Sequence, residues 1–216
     1  MKIDVSFRII GDQVPLDHGY PLYSSLSRLL PSLHNADWLA IHPINGFALG
    51  GHTMRLTPSS RLQLRLPPEC LPEVLPLAGK RLTLIAGTRQ HSMRLGVPEA
   101  YALKPAALLH SRCVVIKVSE VEKSHRQPDR EMFLAALQKH MQERGIGGEV
   151  WIDDSKDAKG REISRRVLRI KDRVIVGYAV QVSGLTEEDS IKLQEAEFGR
   201  QRMGCSIFIP LERKGA

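Results

Sequence analysis

The sequence predicts an α+β protein built as tandem ferredoxin-like domains, each with the order β-α-β-β-α-β. Three observations lead there. Each half opens on a strand-like run followed by a segment with apolar residues at helical spacing, at 20–30 and again at 128–144. Alternating, strand-like stretches follow each of those helices, and each half then offers one more short helix and a closing strand. The two halves share this order without sharing obvious sequence.

In the first half, residues 2–10 alternate in the manner of a strand, and 11–19 form a loop punctuated by proline and glycine. A helix over 20–30 places Tyr23, Leu26, Leu29 and Leu30 on one face and stops at Pro31. Strand-like pieces follow around 39–49 and at 60–66, the latter a strict alternation, Ser-Arg-Leu-Gln-Leu-Arg-Leu. A short helix around 68–75 precedes strands at 81–85 and 93–97, so roughly the first 100 residues read as β-α-β-β-α-β with an extra hairpin. The join between the halves is expected near 98–109, with domains at 1–105 and 106–216.

The second half begins with a strand at 112–118 and a helix at 128–144 that aligns Met132, Phe133, Ala136, Leu137 and Met141. Gly145-Ile-Gly-Gly148 ends that helix, because glycine tolerates the left-handed residue a helix terminus needs. A short strand at 149–152, a polar loop at 153–160 and a basic strand to about 170 come next. The turn Lys171-Asp172-Arg173 leads into an apolar strand at 174–182. Thr186 suits the cap of a helix running to about 197, with Glu187 and Glu188 at its positive end. Residues 205–210 close the unit as its last strand.

The chain of 216 residues carries 31 Lys plus Arg against 24 Asp plus Glu, a formal charge of +7, so an anionic partner is expected. The excess is clustered: Arg161, Arg165, Arg166, Arg169, Lys171 and Arg173 crowd one region, and Arg200, Arg202, Arg213 and Lys214 another. No apolar run approaches the roughly 20 residues of a membrane span, and the first residues read as a strand rather than a signal peptide, so no membrane partner and a cytoplasmic setting are expected. Cys70, Cys113 and Cys205 are scattered and fit neither a disulfide framework nor a zinc cluster; small buried hydrophobes are their expected role. Asp153, Asp154 and Asp157 lack accompanying histidine or glutamate at ligand spacing and read as a solvated turn, so no metal and no other cofactor is expected.

The richest segment is Gly199-Arg-Gln-Arg-Met-Gly204-Cys-Ser-Ile-Phe208-Ile-Pro210, a basic, glycine-containing loop running into an apolar strand. Glycine lets backbone N–H groups approach a phosphate, and Arg200 and Arg202 bring forked donors. Gly204 is expected to need a positive φ or the absence of a side chain against the nucleic acid that such a loop would bind.

Taken with Val14-Pro-Leu-Asp-His-Gly-Tyr-Pro-Leu-Tyr-Ser-Ser-Leu-Ser27 and Pro31-Ser-Leu-His34, that ending resembles the CRISPR-associated repeat-RNA processing endoribonucleases of the Cas-six family, in the repeat-associated RNA-binding superfamily. The likeness is nearest to the subgroup with Asp-His-Gly-Tyr before the first helix and a Met-Gly-Cys ending; here Ser206 stands where that ending has its second glycine. The resemblance implies two ferredoxin-like folds and metal-independent cleavage of precursor CRISPR RNA within each repeat. The chemistry it implies is attack of a ribose 2′-hydroxyl on its own phosphate, leaving a 2′,3′-cyclic phosphate.

Histidine suits that chemistry because its pKa of about 6.5 lets it take or give a proton near neutrality. His34, just past the first helix, ranks first, since the family commonly places its catalytic histidine at or near the end of that helix. His18 ranks second, at the helix entry where the dipole disfavours the imidazolium, and His42 third. For either of the first two, the ordinary alternative is a loop histidine bonded to nearby backbone. Tyr20 is preferred to Tyr23 as a phosphate or base contact, Tyr23 being read as core. Arg28 and Lys117 are candidates for supporting charge on the cleaved phosphate. The stretch with Arg165, Arg166, Arg169, Lys171 and Arg173 resembles the hairpin with which relatives grip the base of the repeat stem-loop, and Arg200, Arg202 and Gly204 complete the RNA-binding set. The expected partner is CRISPR repeat RNA, as precursor and mature guide; whether subunits of an effector or transposon-associated complex join it stays open. The rival class is a non-catalytic RNA-binding subunit of a CRISPR effector complex, because the fold alone does not decide function.

Overall fold

The computed structural model describes residues 1–116, 129–157, 159–160, 162–170 and 173–211. By compactness the chain forms two units, one made of Met1–Ala102 with Gln201–Gly204, the other of Leu103–Arg200 with Cys205–Ala216.

In the first unit β1 (Ile3–Ile10) is the centre of a five-stranded antiparallel sheet. It lies between β6 (Arg61–Leu66) and β8 (Arg89–Ala102), with β3 (Ala40–Ile41) and β7 (Arg81–Ala86) at the edges. Alternation does the sorting. Val5 pairs with Leu64 and Phe7 with Leu62, and all four side chains are buried with Leu22 and Leu26 of α1 (Gly19–Leu29) and Val74 of the short α2 (Leu71–Val74) in one core. α1 ends because Leu30 turns extended before Pro31, whose ring disfavours a helical residue ahead of it. A 3₁₀ turn over Pro31–Asn35 follows directly.

The same alternation directs Asp4 and Arg65, directly paired in register, away from that core. Both are nonetheless buried, and the Asp4 carboxylate accepts from Arg65 Nε at 2.8 Å and Nη2 at 2.9 Å and from Gln63 Nε2 at 2.8 Å. His42 Nε2 lies 3.3 Å from Asp4 Oδ1 without the alignment of a hydrogen bond. Burial pushes the Asp4 carboxyl up, but the hydrogen-bonded Arg65 guanidinium and the His42 ring beside it outweigh that and hold the group far below the usual carboxylate range. Burial lowers the His42 pKa.

The second unit centres on β9 (Leu109–Val114) in a sheet ordered β10 (Glu149–Trp151), β12 (Arg173–Ser183), β9, β13 (Ile209–Pro210). β11 (Arg165–Ile170) pairs with β12 as a hairpin. α3 (Arg130–Gln142) and α4 (Glu187–Glu195) are both capped by side chains: Asp129 accepts from the Met132 N–H at 2.9 Å and Thr186 from the Asp189 N–H at 3.1 Å. Phe133, Leu137, Met141, Val180, Val182, Leu193 and Phe208 form its core. Both units thus hold their first strand between the third and the last, the tandem ferredoxin-like arrangement.

Several elements differ from the sequence reading. The piece around 39–49 is two strands, β3 and β4 (Phe47–Gly50), in different sheets. β4 joins β5 (Thr53–Arg55) and β2 (Gln13–Pro15) in a three-stranded sheet that was not expected. β8 continues through Pro98 to Ala102, where the sequence suggested a linker; past Arg94 its only strand neighbour among the described residues is β1, an edge setting that tolerates proline. The closing strand is two residues, and a 3₁₀ turn covers Gln201–Met203. Cys113 and Cys205 are buried, Cys70 partly, and none of the three forms a disulfide. Among the described residues no helix is long and apolar enough to cross a membrane.

Candidate functional site: a histidine on a clamped turn

His34 sits on the 3₁₀ turn that follows α1, and its side chain is exposed. The turn cannot drift freely, because its backbone is held from two sides. Tyr23 Oη, one helix face back, donates to the His34 carbonyl at 2.5 Å, and Arg202 Nη1 donates to the same oxygen at 2.8 Å. The guanidinium also lies 5.6 Å from the centroid of the Tyr23 ring and 3.5 Å from Asp37 Oδ1. The Tyr23 ring stands nearly parallel to the imidazole, 6.0 Å away between centroids. The result is a fixed main chain presenting a ring to solvent.

The segment bearing Arg202 belongs to the same compact unit, and glycines explain how it fits there. A Cβ on Gly19, the first residue of α1, would lie 2.4 Å from the Met203 carbonyl oxygen, so only glycine lets the segment approach the helix start. Met203 packs on the first unit's core. Gly204 has φ +78°, and a Cβ there would be 3.2 Å from Pro43 Cγ. The positive φ expected at Gly204 is present.

His18 stands at the start of α1 but is buried. Its Nδ1 lies 3.0 Å from the Pro15 carbonyl and its Nε2 2.9 Å from the Ile44 N–H. A carbonyl needs a donor and an N–H an acceptor, so these contacts fit the neutral ring protonated on Nδ1. The side chain ties β2 to the residues following β3. Tyr20 is half-buried against the core, and Arg28 is exposed in the last turn of α1.

In the second unit Arg165 is exposed on β11 and Arg166 is half-buried, with its Nε shielded from solvent and without a hydrogen-bond partner among the described residues. The backbone pairs Arg169 with Val174 and Arg173 with Ile170. Lys117, Arg161 and Lys171 lie outside the described residues. Arg200 is exposed, with φ +58°. Ser206, in place of the family-like glycine, keeps a left-handed backbone at φ +55°. Its buried Oγ accepts from the Val115 N–H at 3.0 Å and lies 3.2 Å from the Val115 carbonyl, so its contacts are with β9's continuation. The three aspartates of the polar loop have local partners: Asp153 accepts from Ser155, Asp154 pairs with Arg130, and Asp157 accepts from the Lys159 N–H.

From the sequence, Tyr23 is expected in the core and Arg202 on RNA. Tyr23 is buried, yet its hydroxyl reaches the His34 turn; the (i, i+3) spacing of Tyr20 and Tyr23 was visible, but which of them faced that turn was not.

The family whose model is described as Cas6 Crispr matches residues 3–213. The CRISPR-associated endonuclease Cas6 of Myxococcus xanthus (strain DK1622) is 34% identical over 216 residues, covering 96% of this chain and 81% of that protein. Among solved structures, one described as CRISPR associated protein Cas6 matches with a TM-score of 0.65 at 11% identity, over 98% of this chain and 100% of its own. Another, described as a RAMP protein binding different RNA substrates, matches with a TM-score of 0.64 at 15% identity and the same coverage. These two bear on the fold, which is the tandem ferredoxin-like one seen in the strand orders. With a family match over nearly its whole length and a Cas6 relative above 30% identity, this chain belongs to the Cas6 family.

Proposed function

We propose that this protein is a metal-independent endoribonuclease that cuts precursor CRISPR RNA within its repeats, with His34 as the catalytic acid–base group. The observation that carries the reading is the clamped turn: Tyr23 and Arg202 both spend a donor on the His34 carbonyl, while the imidazole stays exposed. Fixed backbone with a free ring is what positioned proton transfer requires. His18, by contrast, has both ring nitrogens within hydrogen-bond distance of backbone groups and is out of solvent, which suits a structural tie.

In the proposed reaction the 2′-oxygen attacks phosphorus as its proton leaves, the bond from phosphorus to the 5′-oxygen breaks, and that oxygen takes a proton. The products are a 2′,3′-cyclic phosphate and a 5′-hydroxyl. His34 moves one of the two protons. Arg28, on the helix leading into the His34 turn, and Lys117 supply cationic support, and Tyr20 is retained as a phosphate or base contact. Arg165, Arg166, Arg169, Lys171, Arg173 and Arg200 form the RNA-binding set, in the 106–216 half of the chain. The partner is repeat RNA, as precursor and as mature guide, in the cytoplasm. The endonuclease relative supports this reading over a non-cleaving subunit.

The test uses a repeat stem-loop, the same RNA with a single 2′-deoxy nucleotide just upstream of the cut, and an unrelated hairpin. Cleavage of the first alone, undiminished by chelator and ending in a cyclic phosphate, is expected. Cleavage of the 2′-deoxy substrate, or arrest by chelator, overturns the mechanism.

A further inference from the structure

In the small three-stranded sheet of the first unit, β4 is exposed along its whole length while β2 and β5 each put a residue into the core. Val14 of β2 and Met54 of β5 are paired in register and buried. The neighbouring register row is Gln13, Arg55 and Phe47, one residue from each strand, directly opposite one another and so on a common face. All three are exposed, Phe47 to 69%. Among the described residues none of the three makes a side-chain hydrogen bond, ion pair or ring contact.

This row is held in place by backbone features. Gly46 leads into β4 so close to its neighbour that a Cβ would lie 2.3 Å from the Arg55 carbonyl oxygen. The hairpin tip has three consecutive left-handed residues, Gly50, Gly51 and His52, and Arg89 Nη1 donates to the Gly51 carbonyl at 3.3 Å. Arg55 in the row and Arg89 at the hairpin tip are cationic, the stretch between Asp37 and Glu69 has no acidic residue, and Asp12 stands next to Gln13, its carbonyl accepting from the Leu56 N–H at 2.8 Å.

An exposed aromatic ring beside a free guanidinium and a free amide matches the chemistry of an unpaired nucleotide. A base stacks on the ring, and the guanidinium and amide reach its edge or its phosphate. Three strands at their usual spacing span about 10 Å, room for one or two nucleotides. We infer that the Gln13–Arg55–Phe47 row is a subsite for single-stranded RNA flanking the structured part of the repeat, with Phe47 as the stacking platform. The inference rests on the RNA-processing reading above.

The experiment measures affinity by fluorescence anisotropy at fixed salt for two RNAs, the repeat stem-loop alone and the same stem-loop with a short single-stranded flank. Phe47→Ala is expected to weaken binding of the flanked RNA by about 5- to 100-fold, as removal of one base–aromatic stack does, and to leave the bare stem-loop unchanged. Phe47→Trp is expected to retain the affinity for the flanked RNA. Equal effects on both RNAs, or no effect on either, overturn the subsite. A Phe47→Ala protein that binds both RNAs normally but loses self-association would assign the row to a protein contact instead, and likewise overturns it. A wild-type protein that binds neither RNA overturns the functional reading itself, so the two failures are distinguishable.

Discussion

Replacing Arg202 separates two roles that the sequence alone cannot tell apart. In the folded unit its guanidinium donates to the His34 carbonyl at 2.8 Å, lies 5.6 Å from the Tyr23 centroid and stands 3.5 Å from Asp37. A charged donor to a carbonyl contributes about 1.5–3 kcal/mol and a partly exposed cation–π contact about 0.5–1 kcal/mol. The ion pair to the exposed Asp37 adds little. The Tyr23 hydroxyl still holds the turn, so the cost of Arg202→Ala is about 1.5–3 kcal/mol, or roughly 10- to 100-fold in a step that depends on His34 placement. Single-turnover cleavage at saturating enzyme is the assay, alongside affinity measured across a salt series. The expected outcome is a slower cleavage step with affinity and salt slope unchanged. The paired variant Arg165→Ala/Arg166→Ala should do the reverse, flattening the slope by about 0.7–0.9 for each phosphate that is no longer neutralised. If Arg202→Ala flattens the salt slope and leaves the saturated rate intact, Arg202 binds phosphate and the clamp is wrong.

Two further outcomes follow from the buried groups and the tight turn. Asp4→Asn leaves Arg65 buried beside a neutral amide and should cost about 3–5 kcal/mol in urea unfolding, more than any exposed carboxylate of the same sheet. Asp4 is held below its unfolded pKa, so its contribution is complete above about pH 4 and fades as pH falls toward the folded value; His42 is also lowered, so its contribution is complete above about pH 6.5 and fades on acidification. Thermal midpoints should therefore drop as pH is lowered over that whole range, and a flat profile would contradict the buried cluster. Gly204→Ala puts a side chain at φ +78° against Pro43; it should cost about 1–2 kcal/mol in stability and slow cleavage more than it weakens RNA binding.

Much of the architecture could be read from the chain because its periodic stretches are long. The alternation over 60–66 became β6 in register with β1, and the apolar spacing over 20–30 became α1, halted at Pro31 as expected. Thr186 caps its helix for the reason given from sequence. The small sheet was missed because strands of three and four residues, broken by glycines, are shorter than the window in which alternation is visible; only the Gly50-Gly51 pair hinted at a hairpin. Burial separated the two histidines, and a reading of spacing has no access to burial: His18 and His34 both flank α1, one buried between Pro15 and Ile44, the other in solvent. The hydrogen bond from Arg202 to His34 joins residues 168 positions apart, beyond the reach of any local pattern.

The most direct test of the account compares His34→Ala with His18→Ala in single-turnover cleavage of repeat RNA, each checked for affinity and thermal midpoint. The account predicts that His34→Ala slows cleavage by about 10²–10⁴-fold with affinity and midpoint unchanged. It predicts that His18→Ala lowers the midpoint and, at a temperature where it is folded, still cuts. A His34→Ala protein that cuts at the wild-type rate, or a folded His18→Ala protein that binds repeat RNA but no longer cuts it, would contradict the central claim.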